Sequence, residues 1–404
     1  MTDIHILNIT HYMSCPPKSG GLLRMISPLQ HIGEDSGITI DFLFGEYDSE
    51  KAFKYSRFLE RIPVISRVKY AVYEQEKDSL ANMPDGFSDE VWKTMSRSLL
   101  KKAIEMVSET HYNIIQLEHS FLAWMVPDLR KASPLSKIML DAHNVEYRIF
   151  ELWDKYLPST YMHQKAESLK NWEFNTWNLY DGAFVVSSVE EEILRKNSNL
   201  KNIYLVPTGG GIDVEKYVPT TKVTDKPYDI LYIGTMEWFP NAHGLMWFME
   251  KVLPVIEKKR PGTKLYIVGS GKPNAKLVSM TKSNPYVEFL GFQPDDVFFF
   301  HHSKVFIVPL WIGGGARVKI PTAWASGIPV VSTTFGAEGN FASDGNNILL
   351  ADDPNQFADC VLNILNNPDL AESLSKNSIE TVKKGFSTKI CAEKLVCAYR
   401  DLVM

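Results

Sequence analysis

The sequence predicts a two-domain α/β protein built on parallel sheets. Three observations predict it: the length, an alternation of short apolar runs with helix-period stretches, and the restart of that alternation half-way along the chain. At 404 residues the chain exceeds the roughly 250–300 residues at which single cores stop growing, so two domains of roughly 200 residues are expected.

Taken in order, the apolar runs of the first half are Ile4–Ile9, Ile38–Leu43, Ile114–Leu117, Ile138–Leu140, Ala183–Val186 and Ile203–Val206. Helix-period stretches lie between them, such as Val91–Val107 and Ser188–Asn197. A strand buried on both faces reads as a short continuous apolar run, and β-α alternation implies a parallel, doubly wound sheet. The second half repeats the pattern. Ile230–Ile233 ends at Gly234, Lys264–Val268 at Gly269, Val287–Leu290 at Gly291 and Val305–Val308 at Pro309-Leu310, and Pro329–Ser332 follows. Most of these close on a turn-former, as a strand-to-helix loop requires. The break falls near Pro207–Asp225, where Pro, Gly, Thr and Lys replace the apolar runs. The expected boundaries are therefore 1–207 and 208–388. A last helix follows over 389–404, with Ile390, Leu395, Val396, Tyr399 and Leu402 on roughly one face. Periodicity leaves open whether that helix packs on its own domain or crosses back to the first.

Composition excludes several classes. With 45% hydrophobic and 23% charged residues the chain is neither disordered, collagen-like nor a coiled coil. A net charge of −5 gives no global basic field for nucleic acid. Cys15, Cys360, Cys391 and Cys397 are scattered without a CxxC pair, which fits a reducing cytoplasm and suggests neither a disulfide framework nor a zinc site. The opening MTDIHILNIT lacks a signal-peptide pattern, and no run of about 18 apolar residues exists. A cytoplasmic protein is expected, with any membrane contact peripheral.

Ligands of open α/β sheets bind outside the carboxyl ends of the strands, so residues just after strands are the candidates. Ser19-Gly20-Gly21 follows the first strand and precedes the helix-like Leu22–Gln30. Glycine lets backbone approach a ligand there, although a plain tight turn reads the same way. Asp141-Ala142-His143-Asn144-Val145-Glu146 follows Ile138–Leu140. His143 can bond a sugar hydroxyl or stabilise a leaving group there, or simply cap the strand. Glu118-His119, after Ile114–Leu117, is a weaker case of the same kind. The strongest signal is Gly313-Gly314-Gly315-Ala316-Arg317-Val318-Lys319, between strand Val305–Leu310 and a helix over Val318–Ser326. Free backbone amides at a helix start, with two cations beside them, suit a diphosphate. Gly336-Ala337-Glu338-Gly339 is a further glycine-rich strand exit. No HExxH, cysteine cluster or DxD after a strand points to a metal.

These residues converge on a family. The stretch Asp229–Gly339, with IGTMEWFPNAHGLMWFMEKVLPVI, LYIVGSG, VEFLGF and VFIVPLWIGGGARVKIPTAWASGIPVVSTTFGAEG, resembles the C-terminal domain of the family 4 retaining glycosyltransferases. The first half, with PPKSGGLLR, LDAHNVE, DGAFVVSSVEEE and VPTGGGID, matches more loosely. The branch with GGG followed by a basic pair is commonly involved in bacterial surface-polysaccharide synthesis. The resemblance implies the GT-B fold, two Rossmann-like doubly wound domains facing across a cleft. It implies a nucleotide-diphosphate-sugar donor on the C-terminal domain and a glycan or lipid-linked acceptor on the N-terminal one. By that correspondence, Gly20 and Gly21 approach the donor phosphates and His143 lies near the transferred sugar. Gly313, Gly314 and Gly315 hold sugar or diphosphate, Arg317 and Lys319 neutralise the diphosphate, and Glu338 and Gly339 lie close to the donor. No metal or other cofactor is expected.

Two departures stand out. The family's pair of glutamates falls here on Gly314 and Thr322, and the second normally grips the donor ribose; one hydroxyl holds a diol less well than a carboxylate. The Arg and Lys often found after the first strand of the C-terminal domain are replaced near Met236 and Asn241, so Arg317 and Lys319 are expected to compensate. Finally, 51–70 carries six Lys/Arg against one Glu, interleaved with Phe53, Tyr55, Phe58, Leu59, Val64 and Ile65. It reads either as a dock for anionic lipid or as a solvated basic helix face. The competing functional readings are a catalytically silent homologue that binds a partner, for which Thr322 speaks, and a nucleotide-sugar epimerase.

Overall fold

A computed structural model describes residues 3–17, 19–73, 83, 87–207, 212–221, 223–315 and 317–404, with Glu34 known by its backbone alone. Lys18 of the first glycine motif, 208–211 of VPTGGGID and Ala316 of the GGG loop lie outside the described residues. The chain divides into two compact units, one of Met1–Gly211 with Thr388–Met404 and one of Ile212–Ser387.

The N-terminal unit is built on seven strands: β1 (Ile4–Thr10), β2 (Ile38–Glu46), β3 (Ile65–Val72), β4 (Ile114–Glu118), β5 (Lys137–Ala142), β6 (Gly182–Val185) and β7 (Asn202–Leu205). Every pairing is parallel and the spatial order is β3-β2-β1-β4-β5-β6-β7. The order reverses between β1 and β4, so β1 and β4 flank the crevice where such sheets take ligands. The C-terminal unit carries β8 (Tyr228–Ile233), β9 (Leu265–Val268), β10 (Val287–Gly291), β11 (Ser303–Val308), β12 (Val330–Ser332) and β13 (Leu349–Leu350). Its order, β10-β9-β8-β11-β12-β13, is again all parallel and reverses between β8 and β11.

The central strands are the apolar runs of the sequence, and they are almost wholly buried: Ile114–Glu118 and Gly182–Val185 throughout, and Val305–Val308 with them. Each sheet has apolar clusters on both faces, as helices covering a parallel sheet require. Two strands have no such signature. The edge strand β3 alternates between buried and exposed residues within the basic 51–70 stretch, and β13 is two residues long.

Three helix expectations change. Val91–Val107 is not one helix: Asp89–Thr94 stops at Met95, and Arg97–Glu109 starts afresh with Ser96 accepting from the Leu99 N–H at 3.3 Å. Leu22–Gln30 resolves into Gly20–Ile26 and a 3-10 turn Pro28–His31, because Pro28 lacks the N–H that would continue the helix. The basic 51–70 stretch is helical only to Leu59.

The last helix, Thr388–Val403, belongs to the N-terminal unit. Cys391, Ala392, Leu395, Ala398, Tyr399 and Leu402 are buried with Ile4, Ile6 and Phe184. The Tyr399 hydroxyl donates to Gln116 Oε1 at 2.7 Å and Arg400 donates to the Ser36 carbonyl at 2.9 Å. Anchoring the chain's end to β4 in this way fixes Gln116, which matters at the site below.

Candidate functional sites

Each unit gathers polar side chains at the carboxyl ends of its switch-point strands, and the two clusters differ in chemistry. In the N-terminal unit, β1 contributes Asn8, β4 contributes Gln116 and Glu118, and β5 contributes Asp141, all buried. A polar residue inside a fully covered strand must be hydrogen-bonded, and these bond to one another. Asn8 Nδ2 and Gln116 Nε2 both donate to Glu118 Oε1, at 2.6 and 2.8 Å, and Gln116 Nε2 also lies 3.1 Å from Asp141 Oδ2. Glu118 Oε2 bonds His143 Nε2 at 2.6 Å.

The cation of this network comes from the helix Gly20–Ile26. Arg24 is buried and donates through Nε and Nη2 to Asp141 Oδ1, at 2.8 and 2.6 Å, and through Nη1 to the Val206 carbonyl at 2.6 Å. It thereby pins the glycine-led helix against β5. Glu118, Asp141 and His143 bring ligand-type atoms within 4.8 Å of one another, an arrangement that could hold a metal ion. Their oxygens, however, already accept from Asn8, Gln116 and Arg24, and the guanidinium supplies the positive charge a metal would bring. Burial holds the Glu118 and Asp141 carboxyls above their ordinary range, and burial together with His119 holds His143 well below the usual imidazole value. His143 is therefore neutral at pH 7.

Gly21 stands directly over His143. A Cβ added there would lie 2.9 Å from the Tyr12 hydroxyl and 3.1 Å from His143 Nδ1, so only glycine permits the contact. The sequence motifs Gly20–Gly21 and His143, 122 positions apart between Gly21 and His143 in the chain, are thus neighbours in space. Arg24, Asn8 and Gln116 were missed by sequence reasoning. Polar residues interrupting the apolar runs of β1 and β4 were the available signal.

In the C-terminal unit, Gly313, Gly314 and Gly315 follow β11, with Gly315 at φ 60°. Arg317 is buried; it donates to the Gly315 carbonyl, stacks over the Phe335 ring at 4.4 Å and lies 4.0 Å from Glu338. The glycine loop, Arg317 and Glu338 are therefore one cluster, and Gly339, at φ 81°, turns the chain away after Glu338. Lys319 opens the helix Lys319–Ala325 and runs the other way, to β8. Its Nζ donates to Asn241 Oδ1 at 2.9 Å and to the Tyr232 hydroxyl at 3.2 Å. Burial, with Arg317 nearby, pushes its pKa down to about 7. Thr322 is half-buried one turn along the same helix, and its hydroxyl donates back to the Val318 carbonyl at 2.9 Å. That leaves its oxygen only as an acceptor.

With this geometry in place, the comparisons with known proteins fall into order. The chain has the GT-B fold of tandem Rossmann-like domains. It is similar over 99% of its length, and of theirs, to a sucrose-phosphate synthase from Thermosynechococcus elongatus, with a TM-score of 0.73 and 18% identity. TarM of S. aureus matches 98% of the chain with 99% of its own, at a TM-score of 0.71 and 13% identity. HepE of Anabaena, solved with UDP and glucose, matches 98% of this chain with 100% of its own, at a TM-score of 0.68 and 14% identity.

Residues 227–367, which contain the Gly313–Lys319 loop and Glu338, match the family model described as Glycosyl transferases group 1. A 44.6 kDa protein in the cps region of Klebsiella pneumoniae is 26% identical over 168 residues, 40% of this chain and 43% of that one. A Methanocaldococcus jannaschii glycosyltransferase is 30% identical over 142 residues, 34% and 40% of the two chains. The matched stretches thus span less than half the length of these curated relatives.

Proposed function

We propose that this protein is a retaining, metal-independent glycosyltransferase that moves a hexosyl or related group from a nucleotide-diphosphate-sugar to a glycan or lipid-linked acceptor. The observation that carries the reading is the loop after β11, where three glycines and two inward cations lie at the sheet's switch point inside the stretch that matches the family model. The leaving group of such a reaction is a nucleoside diphosphate. Fixed donors around it lower the barrier without a metal. Arg317 and Lys319 are those donors in our reading, with the Gly313–Gly315 amides beside them, and Thr322, Glu338 and Gly339 complete the donor site. The C-terminal unit takes the donor and the N-terminal unit the acceptor. Gly20 and Gly21 approach the donor phosphates, and His143, neutral and held by Glu118, orients the sugar rather than attacking it. The relative in a cps region supports a role in surface-polysaccharide synthesis.

The acceptor side adds a surface. On the helix Ser49–Leu59, Phe53 is 60% exposed between the exposed Lys51, Lys54 and Arg57. Leu59, Val64 and Ile65 are core residues, so the apolar anchor reduces to Phe53. We assign this face to anionic lipid at the inner side of a membrane, which suits a lipid-linked acceptor. No helix among the described residues is long and apolar enough to cross a membrane.

The test is a thermal-shift screen against nucleotide sugars and free nucleotides, followed by anomeric analysis of the product. A ligand that binds only the folded state raises apparent stability by RT ln(1 + [L]/Kd). A shift with one nucleotide sugar, lost in Arg317→Ala, is expected. No shift with any of them at millimolar concentration would leave a catalytically silent homologue, the reading that Thr322 favours.

A further inference from the structure

The N-terminal cluster holds a second histidine that the donor reading does not use. His119 follows β4 and sits at φ 71° and ψ 146°, a conformation that a non-glycine residue holds only when its surroundings enforce it. Its Nδ1 lies 3.1 Å from Glu146 Oε1. Glu146 begins the helix Glu146–Tyr156, whose first N–H groups, those of Glu146 and Tyr147, are capped by Glu173 at 3.2 and 3.0 Å. Glu173 also accepts from Ser120, the neighbour of His119, at 2.8 Å. The strained residue is therefore fixed from both sides.

The His119 and His143 rings stand 3.8 Å apart, centroid to centroid. Each commits one nitrogen to a carboxyl group, His119 Nδ1 to Glu146 and His143 Nε2 to Glu118. The other nitrogen of each, His119 Nε2 and His143 Nδ1, is buried without a hydrogen-bond partner. Two orphaned ring nitrogens on adjacent imidazoles leave two unmet polar groups in one place. The bonds to Glu118 and Glu146 account for one nitrogen of each ring and leave the other nitrogen without a structural role.

We propose that His119 and His143 form a paired imidazole clamp for adjacent hydroxyls of one saccharide. The clamp deepens the glycosyltransferase reading and rests on it for the class of ligand. A hydroxyl both donates and accepts, so it satisfies a ring nitrogen in either tautomer, whereas a phosphate oxygen only accepts. The flanking rings of Tyr12 and Phe121, 6.1 and 5.7 Å from His119, provide the apolar walls that a sugar face packs against. Gly21 lies over His143 Nδ1 where a Cβ would come within 3.1 Å of it, so the backbone beside that nitrogen carries no side chain.

The experiment uses the full chain labelled with ¹⁵N at histidine, with His119→Asn and His143→Asn assigning the imidazole signals. Asn is among the non-glycine residues that most often take positive φ, and it removes Nε2. The protein is titrated with UDP-, GDP- and dTDP-glucose, with the matching diphosphates, and with maltose as a free glycan, while calorimetry reads affinity. Both imidazoles should move together with a glucose-bearing ligand and stay still with the diphosphates. Response to a nucleotide sugar identifies the donor sugar as the occupant, and response to maltose identifies the acceptor. His119→Asn should weaken that ligand by about tenfold or more and leave diphosphate affinity within about twofold. Movement of His143 alone, unchanged affinity in His119→Asn, or no movement with any ligand overturns the clamp. Diphosphate binding together with no histidine response to any glucose-bearing ligand sinks the clamp and keeps the donor site. A histidine response to maltose with no diphosphate binding sinks the donor site and keeps the clamp.

Discussion

Lys319 Nζ lies 2.9 Å from Asn241 Oδ1, so a cation carried by the loop after β11 reaches the ground beyond β8. The family resemblance places a basic residue there, and this chain has Asn241 instead. Asn241 Nδ2 donates to the Thr235 carbonyl at 2.9 Å, which leaves its oxygen to accept from Lys319.

That placement predicts proton uptake on donor binding. With its pKa at about 7, Lys319 is largely neutral at pH 8 in the free protein, and an arriving diphosphate favours the charged form. Calorimetry in buffers of differing ionisation enthalpy should show up to about one proton taken up near pH 8, and none in Lys319→Met. The sign for stability is the reverse of a salt-bridged lysine. Between about pH 7 and the ordinary value of 10.5, the unfolded chain binds the extra proton, so stability rises with pH there, and Lys319→Met flattens that rise.

Removing Arg317 tests the leaving-group role. Arg317→Ala should cut transfer by about 100-fold or more with the fold retained, as loss of one oxyanion donor does. Steady-state turnover and circular dichroism check both halves. Near-normal turnover in this variant and in His143→Ala together would refute the assigned site.

Arg24 is a stability prediction that turnover does not enter. Arg24→Ala leaves Asp141 buried and unpaired and removes the bond to Val206. A loss of about 3–5 kcal/mol is expected in urea denaturation. The double variant Arg24→Met/Asp141→Asn should recover part of it.

Thr322→Glu restores a carboxylate where the ribose of a donor is expected. It should tighten the nucleoside diphosphate by about 5- to 30-fold, the equivalent of about 1–2 kcal/mol. An unchanged affinity by calorimetry would mean that position 322 does not meet the nucleotide.

Charge removal on the Ser49–Leu59 helix tests the lipid surface. Replacing Lys51, Lys54 and Arg57 by Gln should lower co-sedimentation with phosphatidylglycerol-rich vesicles by about 100-fold, at about 1 kcal/mol per cation. Binding that survives the triple change, or a wild-type protein that never sediments, excludes this face as the dock.

Much of the candidate site was legible because parallel sheets announce their strand ends. His143 and Gly313–Lys319 follow apolar runs closely and Gly20–Gly21 open the helix that comes after β1, the places where a doubly wound sheet exposes its ligand side. Arg24 was not legible. It is one basic residue in a helix-period stretch, and nothing local distinguishes a solvated arginine from one buried on Asp141. Glu118 was visible only as a weak companion of His119, since its role depends on Asn8 and on Gln116, 110 and two residues away in sequence. The edge strand β3 was hidden inside a basic segment, because a strand covered on one side need not be apolar throughout.

The sequence by itself determined the class of architecture, two parallel-sheet units, and the cationic glycine loop, because continuous burial and tight turns leave local composition that no other structure explains. Only the tertiary structure decided which distant residues share a site. It returned the last helix to the N-terminal unit, set Lys319 on Asn241, and brought the His119 and His143 rings together with one nitrogen of each held by a carboxyl group. The reason is physical: strand order in a sheet is fixed by packing over the whole unit, and pairwise hydrogen bonds between side chains on different strands follow from that order, not from spacing along the chain.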